Sequence, residues 1–207
     1  MKRRILSMFL VIVMVFSMLP LNAVASADNS VSVGFTVVDC LSGEIEIMRR
    51  ELEVEPGLAK QYLDGTYGGS IGMSTTVGEN DVTPIDVLVA AHIDVYGDDF
   101  SDDTAEEYIT GFDYVTEMFG ESTDITYTVN GTMPHQDGTG YAINQYIVQE
   151  NDEICFYRMS WYSDPSSIFA SFDQTEAELA VGEELTLKLG FCSTMGYVDE
   201  PTPASNA

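Results

Sequence analysis

Val31, Val33, Phe35 and Val37 alternate with Ser32, Gly34 and Thr36, the period-two pattern of a half-buried strand. Ser42-Gly43 marks a turn, and Ile45, Ile47, Leu52 and Val54 carry a second strand up to the breaker Pro56-Gly57. A short helical piece is predicted over Leu58 to Leu63. Residues 64–80 are dominated by glycine and small polar residues and read as a long loop or irregular hairpin.

The pattern then changes period. Ile85, Leu88, Val89, His92, Ile93 and Tyr96 recur at helical spacing, forming one apolar stripe. Thr83 is a natural N-cap, Pro84 suits the first helical position, and Asp86 places a carboxylate in the first turn. Gly97 stops the helix. A second, shorter helix is predicted from Asp102 to Ile109, capped by Ser101.

Beyond Gly120 the alternation returns. Ile125, Tyr127 and Val129 alternate with Thr126 and Thr128 and run into Asn130-Gly131, a tight-turn dipeptide. Tyr146–Val148 and Ile154–Met159 read as two further strands joined by the polar turn 149–153. Ile168–Phe172, Leu179–Val181 and Leu185–Leu189 read as three more. Residues 199–207 form a Pro/Ser/Ala tail with no reason to fold. Strands around one dominant helix predict an α+β fold.

The N-terminus adds a location. Lys2-Arg3-Arg4, an apolar stretch from Ile5 to Leu19, the breaker Pro20 and the small residues 23–27 have the layout of an export signal with cleavage near Ala25 or Ala27. The expected mature chain starts near Asp28, has no membrane span after cleavage, and is secreted or associated with the cell surface. The whole chain has 34 acidic against 8 basic residues, a formal net charge of −26, and cleavage removes three of those bases. Such a charge repels phosphates, which argues against nucleic acid or an anionic membrane as partner. Hydrophobic content of 45 % is too high for a disordered acidic chain.

Three cysteines, Cys40, Cys155 and Cys192, leave at least one thiol unpaired within the chain. They read as small buried hydrophobes, with Cys40–Cys155 the first pair to test for a bridge.

The residues 83–91, Thr-Pro-Ile-Asp-Val-Leu-Val-Ala-Ala, resemble the helix opening of the transcobalamin C-terminal-like, β-grasp type domains of bacterial secreted proteins. Tyr127-Thr128-Val129-Asn130-Gly131 resembles a hairpin of that family. Residues 146–154 resemble its returning strand pair, with Asn151 where the family turn has glycine. The resemblance covers residues 80–160 and implies a β-grasp-like mixed sheet packed on one main helix. It also brings a corrinoid-binding domain into view, although no ligand-contacting residue can be matched. Residues 172–189 resemble the opening strands of a bacterial immunoglobulin-like module. The expected organisation is a signal over 1–27, a β-grasp-like domain over 28–162, a short β segment over 163–198 and the tail. The β segment either docks on the first domain or belongs to a shortened multi-module chain.

Candidate chemistry is sparse. Gly68-Gly69-Ser70-Ile71-Gly72 satisfies the serine-hydrolase elbow pattern, but the flanking strand and helix it requires are not predicted, so it reads as a glycine loop. Asp98, Asp99, Asp102 and Asp103 could supply oxygens to a weakly held calcium ion, though without the loop spacing calcium prefers. Without calcium they read as a solvated charged loop. His92 lies on the apolar stripe and reads as a hydrogen-bonded core residue; His135 lies in a polar loop. Trp161, Tyr162 and Tyr141 are the aromatic contact candidates. No reactive constellation emerges, so the expectation is a non-enzymatic extracellular binding or surface-display domain. Its ligand would be a glycan, a peptide or a small planar molecule. The alternative is a calcium-stabilised spacer; a corrinoid binder or a hydrolase ranks lower.

Overall fold

The computed structural model describes residues 29–68, 76–159, 168–175, 177–193 and 197–204. The export signal, Ser70, Trp161 and Tyr162 lie outside the described residues.

β1 (Val31–Asp39) and β2 (Glu44–Val54) form an antiparallel hairpin through the turn at Ser42-Gly43. The chain passes through the short helix α1 (Ala59–Tyr62) to the main helix α2 (Pro84–Tyr96). Two short hairpins follow, β3 (Glu117–Met118) with β4 (Glu121–Ser122) and β6 (His135–Gln136) with β7 (Thr139–Gly140), and β5 (Asp124–Val129) lies between them. β8 (Glu153–Met159) then enters the sheet parallel to β1 and antiparallel to β5. The order β2-β1-β8-β5 makes a mixed sheet with α2 across one face. The fold is therefore α+β and β-grasp-like.

Hydrophobic spacing explains the register. Ile47 and Leu52 are both buried, yet an odd spacing puts them on opposite faces of a regular strand. The β1–β2 ladder shifts register between Phe35 and Val37, and this bulge returns both side chains to the core. Val33, Phe35, Val37, Ile125, Tyr127, Val129, Ile154 and Phe156 complete that face beneath the helix. Burying a phenylalanine such as Phe35 or Phe156 contributes about 2–3 kcal/mol.

The helix departs from expectation in one respect. Residues 84–92 are buried all round, not along one stripe; exposure begins only at Ile93. The first turns sit under α1, β2 and the 141–148 segment, where Ile85 N–H donates to Ile143 O and Val148 N–H to Val82 O.

The other face of the sheet is also covered. β9 (Ile168–Phe172), β10 (Leu189–Ser193) and β11 (Thr202–Pro203) form a three-stranded antiparallel sheet in the order β11-β10-β9. Tyr157, Met159, Phe169 and Cys192 pack as a second core, with the Tyr157 and Phe169 rings 4.1 Å apart. The C-terminal strands thus dock on the first sheet. This is why Thr126 and Thr128, the polar half of the β5 alternation, are buried.

Five expectations are corrected. The Asp102–Ile109 helix is only a 3₁₀ turn over Ala105–Glu107. Four carboxylates in eight residues repel one another, and only Ala105 and Ile109 are buried to compensate. Tyr146–Val148 is irregular chain, because β5 and β1 already occupy both sides of β8. Leu179–Val181 and Leu185–Leu187 join no ladder and are exposed, with Val181 in a turn closed by the Glu183 N–H donating to Ala180 O; β10 is already flanked by β9 and β11. The tail is not unstructured throughout: Thr202 and Pro203 pair with Phe191 and Gly190, and Ala204 N–H donates to Leu189 O at 2.9 Å. Proline is accepted there because β11 is an edge strand.

Asn130 and Gly131 have φ of 51° and 79°, the left-handed pair that a tight two-residue turn demands. The turn is also a docking point, since a Cβ on Gly131 would lie 2.3 Å from Ser171 Oγ on β9. Gly131→Ala is expected to cost about 1–3 kcal/mol in chemical denaturation, combining left-handed strain with displacement of the second sheet. A cost near zero would mean the two sheets do not meet there.

Candidate functional site

Beside β5 lies a cleft of about 520 Å³. β5 is the edge strand of the main sheet, so among the described residues no other strand pairs with one side of its backbone. Ile125, Thr126 and Tyr127 line the cleft, together with residues 113–115, Met133-Pro134, the 140–145 segment and Tyr197 from the C-terminal segment. Four tyrosines reach it: Tyr114, Tyr127, Tyr141 and Tyr197.

Each tyrosine is held by a different local cause. Tyr127 stands on β5 and is 6 % exposed, with its hydroxyl donating to the carbonyls of Tyr141 and Ala142 at 3.1 and 3.2 Å. Burial holds the Tyr127 phenol well above the usual range, and the phenols of Tyr146, Tyr141 and Tyr197 add to this. Tyr141 follows the β6–β7 hairpin, and its ring meets Tyr146 edge-on at 5.9 Å. Tyr197 is brought in by the docked C-terminal sheet, and its phenol lies against Gly140, where a Cβ would sit 2.4 Å from the hydroxyl oxygen. Tyr114 is the most open, 59 % exposed, in the turn after Phe112.

The wall is fixed by buried polar groups. Gln145 Oε1 accepts the Ala142 N–H at 2.9 Å, and Asn144 Nδ2 donates to Thr66 O at 2.9 Å. Asp152 accepts from Asn130 Nδ2 at 2.7 Å and from Gln149 N–H at 2.8 Å, which ties the Asn130-Gly131 turn to the turn before β8. Tyr146 donates to the same carboxylate, and its phenol is pushed up to about 12, chiefly by burial.

The lining is acidic or neutral. Among the described residues Asp113 is its one charged side chain, and no Lys or Arg lines the cleft. Most bases are occupied elsewhere: Arg49 with Glu153, Arg50 with Asp94, Arg158 with Glu46 and Glu121, and Lys60 over the Tyr67 ring.

Of the residues singled out in the sequence, Tyr141 lines the cleft. Asp98 and Asp99 fall in the 3₁₀ turn Gly97–Asp99, Asp102 and Asp103 fall in the next turn, and all four are exposed. Among the described residues no group of three or more His, Cys, Asp or Glu is placed to hold a metal ion. His92 is fully buried, with Nδ1 2.7 Å from Leu88 O and Nε2 accepting the Phe119 N–H at 2.8 Å. Both its nitrogens are committed, so it has no free edge for proton transfer. His135 lies 3.6 Å from Asp199 through Nε2, beside the Tyr197 ring. The three cysteines are free thiols, so the Cys40–Cys155 bridge is not formed. Burial pushes the Cys155 thiol up to about 12. No helix among the described residues is long and apolar enough to cross a membrane.

Sequence reasoning missed Tyr114, Tyr127 and Tyr197. Tyr127 was legible only as a core strand residue. Tyr197 was legible only as a tyrosine beside glycine near the end of the expected β segment. Comparisons with family models, curated proteins and solved structures found no match.

Proposed function

We propose that this chain is an exported, non-catalytic binding or surface-display domain whose ligand lies in the tyrosine-lined cleft beside β5. The observation that supports this reading is the convergence of Tyr114, Tyr127, Tyr141 and Tyr197 on one cleft of about 520 Å³. That volume lies within the range of ligand pockets, and tyrosine combines a large apolar face with a polar tip. The acidic envelope, and a lining that among the described residues holds no Lys or Arg, favour neutral or cationic ligands over anionic ones. An extracellular glycan, peptide or small planar molecule meets these conditions.

The test is a calorimetric binding screen of the mature chain against neutral glycans, peptides and planar small molecules, repeated with Tyr114→Ala and Tyr141→Ala. A true ligand is expected to bind each variant at least about tenfold more weakly, with the melting temperature of Tyr114→Ala unchanged because that ring is largely exposed. Equal affinity for the wild type and both variants would place the ligand elsewhere and remove the reading.

A further inference from the structure

We propose, resting on the cleft reading above, that the ligand is an extended peptide that adds a strand to the free edge of β5. The argument starts from the hydrogen-bond register. Asn130 N–H donates to Glu153 O at 2.8 Å, so the pair Asn130/Glu153 is of the hydrogen-bonded type. Alternation along the β5–β8 ladder then makes Thr128/Cys155, Thr126/Tyr157 and Asp124/Met159 the bonded pairs. The N–H and C=O groups of Ile125, Tyr127 and Val129 must therefore point away from β8. Val129 bears this out, because its outward N–H and C=O are both taken by Thr132 across the tight turn.

Ile125 and Tyr127 have no such neighbour. Each presents a backbone donor and acceptor on the side of β5 that lines the cleft, and among the described residues no hydrogen bond satisfies these groups, although the residues are only 8 % and 6 % exposed. Unpaired backbone groups in a largely covered place are costly, and nearly all are satisfied in native proteins. The two residues are separated by one, a repeat of about 7 Å, which is the spacing at which a neighbouring strand offers its own main-chain groups. A sugar or a flat ring offers no such repeat. Strand addition to a sheet edge draws affinity from main-chain bonds and selectivity from pockets for alternate side chains.

The surroundings specify the occupant further. Tyr114 and Tyr197 line the same cleft as the bare stretch, Tyr197 against Gly140. They suit apolar or proline side chains. Asp113 and the net charge of −26 disfavour an acidic peptide. The inferred occupant is a neutral or basic peptide of four to six extended residues, roughly the length of β5 itself.

The experiment selects binders to the mature chain from a displayed library of random nine-residue peptides, with Tyr114→Ala as counter-selection. The best binder is then synthesised together with a twin N-methylated at alternate residues, in each of the two registers. Amide hydrogen exchange is followed by NMR on wild type, free and saturated. In the free protein Ile125 and Tyr127 amides should exchange faster than those of Thr126 and Thr128. Peptide should slow exchange at Ile125 and Tyr127 by at least about tenfold, and one N-methylated register should bind at least about tenfold more weakly. Equal binding by both methylated twins, or unchanged exchange at Ile125 and Tyr127, overturns strand addition. If no peptide is enriched while a glycan or planar molecule binds in a Tyr141-dependent way, strand addition fails and the binding-module reading stands. If nothing in either screen depends on Tyr114 or Tyr141, both fail.

Discussion

Replacing Asp86 by alanine is expected to cost about 3–5 kcal/mol of folding stability, which could exhaust the margin of a domain this size. Asp86 is fully buried, and its carboxylate accepts four hydrogen bonds. The Ala59 N–H and Tyr67 hydroxyl donate to Oδ1, at 2.8 and 2.5 Å; the Thr83 N–H and hydroxyl donate to Oδ2, at 2.9 and 2.7 Å. A single side chain thus caps α2, anchors α1 and holds Tyr67. Alanine would leave three buried donors and the half-buried Tyr67 hydroxyl without this partner, each buried one costing about 1–3 kcal/mol before relaxation. Asp86→Asn keeps the shape and one acceptor oxygen, so it should cost less than half as much. Urea denaturation monitored by circular dichroism decides the matter. A loss below about 1 kcal/mol for Asp86→Ala would show that the cap contributes little.

The second large effect is acid sensitivity from His92. Burial lowers its imidazole from an ordinary value of 6.5 to about 4, against the raising influence of the Leu88 and Tyr108 backbone. The ring is held neutral between Leu88 O and the Phe119 N–H, stacked on Phe119 at 3.9 Å. The folded pKa lies below the unfolded one, so the unfolded state binds the proton first as pH falls. The contribution is complete above pH 6.5 and is lost progressively down to about pH 4. The difference corresponds to about 3 kcal/mol. Asp86 acts in the opposite direction, because burial raises its carboxyl and acid therefore favours the folded form. The His92 contribution is isolated by comparing wild type with His92→Asn between pH 7 and pH 4. Wild type should lose about 3 kcal/mol more than the variant across that window. Parallel stability curves would mean that His92 titrates alike in both states.

Much of the frame is legible in the sequence. The alternation of Val31 to Val37 and of Ile125 to Val129, the Asn130-Gly131 turn and the capped helix from Thr83 to Gly97 are where local chemistry requires them. Each depends on neighbours within a few residues, through side-chain period, a left-handed turn or a carboxylate reaching back to its own cap. The errors share a cause as well. Leu179–Val181 and Leu185–Leu187 alternate like strands, and Thr202-Pro203 does not, yet only the last is paired. Pairing needs a partner, and the partner lies elsewhere in the chain.

The candidate site was less legible. Tyr141 was singled out among aromatic residues, but its companions come from β5, from the turn after Phe112 and from the C-terminal segment. Nothing in their sequence neighbourhoods ties them together. What the sequence alone determined was the local alphabet of strands, turns and one capped helix, together with a formal net charge of −26. Those properties follow from short-range sterics, periodicity and composition. Only the tertiary structure decided that β5 is an edge strand, that a second sheet covers its polar face, and that four tyrosines meet beside it. These are consequences of strand order, set by contacts between residues far apart in the chain.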